Sequence, residues 1–412
     1  MLPDQAARAA ERVARESYGR LVAFLAARTR DVAGAEDALS DAFANALRVW
    51  PLDGIPDNPD AWLMTAARRR QADAGRRRQT RAAGVGHVQL IAEELAAMAD
   101  DDAAIPDRRL ALMFACAHPA IDRSMRTPLI LQTILGLTAE DIAAAFLVPA
   151  GTMGQRLIRA KTRIRDAGIP FRVPDPQELP ERLAAVLDAI YAVYTKGWNE
   201  LGDNTSPELA EEALWLGRLI VALLPNEPEA KGMLALMLYT ASRGGARRDV
   251  AGAYVPLEEQ DTRLWDHSLL GLAETLLREA NAGGPSGRYQ IEAALQSAHV
   301  ARRMTGIANW RAVLALYDHL VALTRSPVVS LNRAIARAEV DGPSAALAEL
   351  TPLEGDKRML SYQPYWAAKG HLLSRSGDTA AAFEALTIAI GLSSDQAVKT
   401  YLRGRLASLR LS

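Results

Sequence analysis

The sequence predicts an all-α protein, built as two small helical modules followed by a long series of helix pairs. Three observations carry that reading. Alanine, leucine and arginine dominate while β-branched alternation is almost absent, a composition that favours helix over strand. Apolar residues recur at helical spacing through the stretches between turns. A proline-rich stretch, "IPFRVPDPQ" from Ile169, breaks helix and separates a short front part from a much longer remainder.

A length of 412 residues allows two to four domains. The net charge of −1 conceals strong local asymmetry, so charge is informative only segment by segment. Cys116 has no second cysteine to pair with, and no Cys/His cluster has zinc-ligand spacing. Neither a metal nor a cofactor is expected, and a reducing cytoplasm is the natural compartment. The N-terminus lacks a basic stretch followed by an apolar core, and no apolar run is long enough to span a bilayer. No membrane role is therefore expected.

Composition divides the chain into five parts. Residues 1–83 form a first helical module with a basic end, 84–108 an acidic linker, and 109–170 a second helical module with a basic end. Residues 171–178 form the proline-rich linker, and 179–412 the helical remainder.

In the first module, "EDALSDAFANALRVW" from Glu36 reads as an amphipathic helix with Leu39, Phe43, Leu47 and Trp50 as its apolar stripe. Asp37 and Asp41 lie four apart on another face, where like charges cost the helix a little. They read either as a solvated face near the helix start or as a docking surface for basic residues of a partner. A loop with prolines, a glycine and several Asx residues follows from Pro51. Asn58-Pro59 supplies an N-cap with proline at the first helical position. The next helix carries Trp62 and then Arg68, Arg69, Arg70, Arg76, Arg77, Arg78 and Arg81 against Asp73 alone. Arginine this dense repels itself and suits salt-dependent contact with phosphate.

In the second module, Thr138 starts a short helix with Asp141 at the capping-box position, and Ile142, Ala145 and Phe146 are its expected buried face. Pro149 stops it. A second helix begins near Gly151. Met153, Leu157, Ala160 and Ile164 form its apolar side; Thr152, Gln155, Arg156, Arg159 and Arg163 form its polar side. A short helix, a tight turn and a basic amphipathic helix make a helix-turn-helix pattern, whose second helix enters the major groove of DNA. Arginine there favours guanine and glutamine favours adenine, while residues further along touch phosphate. An ordinary helical hairpin is the alternative.

From residue 179 onward the pattern predicts helices near 180–199, 207–224, 228–243, 260–280, 288–303, 309–324, 328–340, 343–352, 361–375, 378–391 and 395–409. The last full pair fits the tetratricopeptide template, with Trp366, Gly370, Ala382 and Ala389 at its large and small packing positions and Gly377 at the turn. Stacked repeats of this kind commonly bind a peptide or partner protein. Trp198, Trp215, Trp265, Tyr289, Trp310 and Tyr317 are expected mostly in cores. Two glycine-rich stretches, from Arg243 and from Ala282, follow no strand and read as loops.

Taken together, "AEDALSDAF", "GIPDNPDAWLMTAARRRQADAGRRR" and "LTAEDIAAAFLVPAGTMGQRLIRAKTRIR" resemble the extracytoplasmic-function RNA polymerase sigma factors. "FACAHPAI", "AGIPFRVP" and "SPVVSLNRAIARAEVDGP" are similar to the subgroup with a C-terminal tetratricopeptide-like extension, so the resemblance covers nearly the whole chain. It implies the following. Asp37 and Asp41 meet the β′ coiled coil of core polymerase, and the β flap is a further contact. The loop from Leu52 to Asn58 captures a flipped −10 base, with Asn58, Trp62, Arg68, Arg69 and Arg76 on the −10 side. Thr152, Gln155, Arg156, Arg159 and Arg163 face the −35 element. The acidic linker threads toward the polymerase channels. Two departures stand out: Arg69 occupies a position where the family usually has asparagine, and Gly75 interrupts a helix where larger residues are common. Cys116-Ala-His118 has one cysteine where relatives often have two, and His118 before Pro119 reads as a helix-end residue.

The expected function is to direct bacterial RNA polymerase to promoter DNA, with the repeat region modulating that activity. The alternative is a free-standing helix-turn-helix regulator with a repeat-type sensor. An enzyme is not expected, because no nucleophile–base pair, metal cluster or cofactor loop emerges.

Overall fold

The computed structural model describes residues 3–79, 108–146, 148–175, 177–199, 207–282 and 286–409. Every described element is helical, apart from one antiparallel bridge between Arg248 and Tyr254. No described helix is long and apolar enough to cross a membrane. The chain forms two compact units, Met1–Lys196 and Gly197–Ser412.

The first unit opens with α1 (Pro3–Thr29), α2 (Val32–Asp53) and α3 (Pro59–Gln79), which pack on one another. Asp31 caps α2 by accepting from the Gly34 N–H at 3.0 Å. The face that α2 buries consists of Val32, Ala35, Ala38, Leu39, Ala42, Ala46 and Trp50. This corrects the expected stripe: Leu39 and Trp50 belong to it, but Phe43 is half-buried and Leu47 is 50% exposed. Small alanines do the burying because they let neighbouring helices come close. The helix also runs on through Pro51 to Asp53 instead of ending at Trp50. Proline removes one donor to the Leu47 carbonyl, in a turn where Leu47, Arg48 and Leu52 are exposed.

The same unit continues with α4 (Arg109–Cys116), α5 (Arg123–Leu135), α6 (Ala139–Phe146) and α7 (Ala150–Asp166). α5 lies against α1 so closely that a Cβ on Gly19 would sit 2.1 Å from the Ile134 carbonyl oxygen. α7 packs on both α5 and α2. Between α2 and α7, the Lys161 ammonium donates to the Glu36 carboxylate; these side chains are 10% and 12% exposed. Burial pushes the Glu36 pKa up, while Lys161 opposes that shift. Cys116 is fully buried, 3.6 Å from the Thr133 hydroxyl, and its thiol is pushed up to about 12 by desolvation. His118 accepts from the Ala120 N–H at 3.1 Å, a turn-forming contact just after α4.

α8 (Leu179–Asn199) belongs to the first unit as far as Lys196, so the division between units lies beyond the proline-rich linker. Buried Arg126 explains this. Its guanidinium donates to the Glu181 carboxylate at 3.0 Å and to the Glu181 carbonyl at 3.3 Å, tying α8 to α5.

The second unit contains α9 (Pro207–Leu223), α10 (Pro228–Ala241), α11 (His267–Asn281), α12 (Arg288–Thr305) and α13 (Trp310–Thr324). It goes on with α14 (Pro327–Asp341), α15 (Pro343–Leu350), α16 (Lys357–Leu360), α17 (Gln363–Ser376), α18 (Thr379–Leu392) and α19 (Gln396–Leu409). Neighbours in this order pack together, except that α15 packs on α17 rather than on the short α16. Two expected starts shift. The segment near 260 forms short 3-10 turns before α11, because Asp266 caps that helix by accepting from Ser268 and Leu269 N–H. α17 begins at Gln363, after the short α16. In the pair α17–α18, buried Gly370 would bring a Cβ within 2.8 Å of Leu386, and Ala382 and Ala389 are fully buried. Gly377, at φ +89°, makes the turn. Trp366 is half-buried against the core on both sides of this pair. Trp265 and Tyr289 are buried, Trp310 and Tyr317 pack against a core cluster, and Trp215 is 39% exposed. The Trp198 side chain lies outside the described residues.

Candidate nucleic-acid interface

Asn58 sets the geometry of the first site. It is exposed, and its side-chain oxygen accepts from the Ala61 N–H at 3.1 Å, starting α3 at Pro59 as the Asn-Pro pair predicts. Asp60, in the first turn, is held by Arg20 and by the Ser17 hydroxyl at 3.0 Å, which fixes α3 to α1. Trp62 packs edge-on to buried Trp50, ring centres 5.5 Å apart. Together these contacts hold one side of an open cleft of about 590 Å³ between α2, the loop after it and α3. That volume falls in the roughly 300–1,000 Å³ range typical of small-molecule sites.

Asn58, Trp62 and Arg69 line the cleft together with Asp41, Asn45, Thr65 and Arg70. Exposed Arg70 stands 3.7 Å from the Asp41 carboxylate. Such an exposed pair is screened and is readily exchanged for another partner. Asp37, one turn earlier on α2, is exposed as well. Arg68 does not line the cleft: its guanidinium lies 4.9 Å from the Phe24 ring centre, a cation–π contact inside the unit. The Arg76 side chain, Arg81 and the acidic linker as far as Asp107 lie outside the described residues. Sequence reasoning missed Asn45 and Thr65, and it had Arg70 only as one of a dense run of arginines. The signal for Thr65 and Arg70 was present, since Trp62, Thr65, Arg69 and Arg70 follow helical spacing along one face of α3.

The second site is built on α6 and α7. Thr138 and Asp141 cap α6 reciprocally: the Asp141 N–H donates to the Thr138 hydroxyl at 3.1 Å, and the Thr138 N–H donates to the Asp141 carboxylate at 3.2 Å. Ile142 and Ala143 are buried, whereas Phe146 is 40% exposed, which corrects its expected place in the core; the Ala145 side chain lies outside the described residues. Pro149 is extended and begins α7 at Ala150. Met153, Leu157, Ala160 and Ile164 are all buried, as their spacing predicts. Gln155, Arg156, Arg159 and Arg163 are exposed and Thr152 is half-buried. Arg163 and Arg165 occupy the last turn, where cations are favoured by the helix dipole. α7 therefore presents a cationic ridge with one neutral amide, Gln155, on it, anchored beneath by apolar packing.

Among the described residues no group of His, Cys, Asp or Glu is arranged to hold a metal ion. Residues 13–81, which contain the cleft, match Sigma-70 region 2. Residues 182–281 match a family described as of unknown function, DUF6596. An uncharacterized protein of Rhizobium meliloti (strain 1021) is 38% identical over 382 residues, which cover 91% of this chain and 90% of that protein. No solved structure matches the chain.

Proposed function

The chain belongs to one family with the Rhizobium meliloti protein and carries a Sigma-70 region 2, and from that premise we propose that it is an extracytoplasmic-function type sigma factor with two DNA-contacting sites. The region 2 match supports a sigma-factor role in promoter recognition by RNA polymerase. The cleft beside Trp62 carries the finer reading, because it sits inside the matched segment and joins an aromatic face to arginines.

In this reading the exposed Asp37 and Asp41 of α2 dock on basic residues of the polymerase β′ coiled coil, which displace Arg70 from Asp41. The loop 52–58 and the cleft hold an unstacked −10 base, with Asn58, Trp62 and Arg69 around it. Stacking a base on an aromatic side chain contributes about 1–3 kcal/mol, which offsets part of the cost of opening the duplex. Thr152, Gln155, Arg156, Arg159 and Arg163 on α7 face the −35 duplex, the cations on phosphate and Gln155 on a base edge. The chain performs no chemistry in this role; bond formation belongs to the polymerase. The second unit modulates promoter use through a protein or peptide contact on its stacked helices.

Transcription reconstituted from the full chain, core RNA polymerase and a genomic promoter library tests this. Start sites that depend on the chain are expected, and their pattern or yield changes when the chain is cut after Lys196, where the first unit ends. No chain-dependent transcript removes the sigma-factor reading; unchanged output after the cut removes the modulating role alone.

A further inference from the structure

The exposed side of α7 carries one residue that neither its packing nor its charge pattern explains. Ile158 is 65% exposed, although the apolar needs of the helix are met by Met153, Leu157, Ala160 and Ile164 on the opposite side. It follows Gln155 by three positions and precedes Thr162 by four, so these three run in a line along the helix. Arg156, Arg159 and Arg163 are exposed further round the same helix. A branched aliphatic side chain in line with an amide, on a helix that also exposes arginines, is poorly placed in water and well placed against an apolar group within an anionic surface. In the major groove the apolar group is the thymine 5-methyl, which only one of the bases presents.

We propose that Ile158 is a specificity-determining residue that packs on a thymine methyl of the upstream promoter element, next to the base read by Gln155. This rests on the promoter-recognition reading above. It adds a preference that hydrogen bonding does not give, since amide and guanidinium groups read donors and acceptors and are blind to the methyl. The contact involves no buried residue of the unit, so changing Ile158 leaves the fold intact.

Holoenzyme made from the full chain and core polymerase first selects promoters from duplexes randomised across the upstream element. Each thymine of the selected element is then replaced in turn by deoxyuridine, which removes the 5-methyl and nothing else. One replacement is expected to weaken promoter binding about fourfold, the effect of one buried methyl-sized group. Ile158→Ala binds the thymine and deoxyuridine duplexes equally and at the weaker level, with unchanged thermal stability; Ile158→Val retains most of the discrimination. The proposal is overturned if the selected element contains no thymine, if no replacement matters, or if Ile158→Ala still senses the same methyl. A holoenzyme that selects no promoter takes down the promoter reading and this proposal together, whereas selection with indifference to every methyl removes the contact alone.

Discussion

Replacing Lys161 with methionine keeps an unbranched side chain between α2 and α7 and deletes the ammonium that faces Glu36. Both partners are nearly buried, at 10% and 12% exposure. Removing one member of a buried pair costs about 3–5 kcal/mol, because the other charge is left uncompensated. Glu36 has one escape, which is to bind a proton. Holding a carboxyl protonated at pH 7, roughly 2.5 units above its ordinary pKa, costs about 1.4 kcal/mol per unit, or about 3.5 kcal/mol in all. The expected loss is therefore about 3 kcal/mol. Hydrogen exchange of the protected α7 amides reads it directly: opening becomes easier by that amount, and exchange accelerates about a hundredfold. The pH dependence has a definite sign. Desolvation already raises the Glu36 pKa, and Lys161 holds it down, so the substitution raises it further. A carboxyl whose folded pKa exceeds its unfolded one favours folding most below the unfolded value and loses that contribution as pH rises through the folded value. The deficit of Lys161→Met is thus largest near pH 8 and shrinks as pH falls toward the carboxyl range. Glu36→Gln added to Lys161→Met removes the orphaned charge and recovers most of the loss. Unchanged α7 exchange, or a deficit that deepens on acidification, would refute this reasoning.

Two glycines should respond to alanine in opposite directions. Gly370→Ala drives a methyl into Leu386 and costs about 1–3 kcal/mol of overpacking against a smaller gain in helix propensity, so thermal stability falls. Gly404→Ala in α19 meets nothing within 4 Å and gains up to about 1 kcal/mol, so stability rises; a matched sign for the two would contradict the packing described. Cys116, buried and pushed up to about 12, should resist iodoacetamide at pH 8 in the native chain and react only after denaturation, as mass spectrometry of the labelled protein will report.

The helix that carries the second site was readable because large apolar residues mark its buried side. Met153, Leu157, Ala160 and Ile164 repeat at helical spacing, and all are buried. α2 was misread for the converse reason. Its buried face is mostly alanine, and size-weighted reading promotes Phe43 and Leu47, which lie toward or at the surface. Close helix approach is nearly silent in sequence: nothing local to Gly19 reveals that the Ile134 carbonyl lies against it. Tertiary partners also redirect charge. Arg68 is one of several arginines in the sequence, and only the fold brings the Phe24 ring under it and leaves Arg69 and Arg70 on the cleft. Likewise Lys161 reads as one more cation of a basic helix, yet it faces Glu36 on another helix. The helix pairs of the second unit were legible in order and length because proline and glycine punctuate them, as Pro327, Gly342, Pro343 and Gly377 do. Where Asx capping competed with helical periodicity, before His267, the expected start was too early.

Binding of the full chain to core RNA polymerase, measured for the natural sequence and for a variant with Asp37→Lys and Asp41→Lys, is the most direct test of the account. A stable complex that forms with the natural chain, and is lost or greatly weakened when the two exposed carboxylates of α2 are reversed while the helix content is unchanged, is the predicted result. Absence of any complex, or equal binding by both proteins, would contradict the claim that this helix joins the chain to the polymerase.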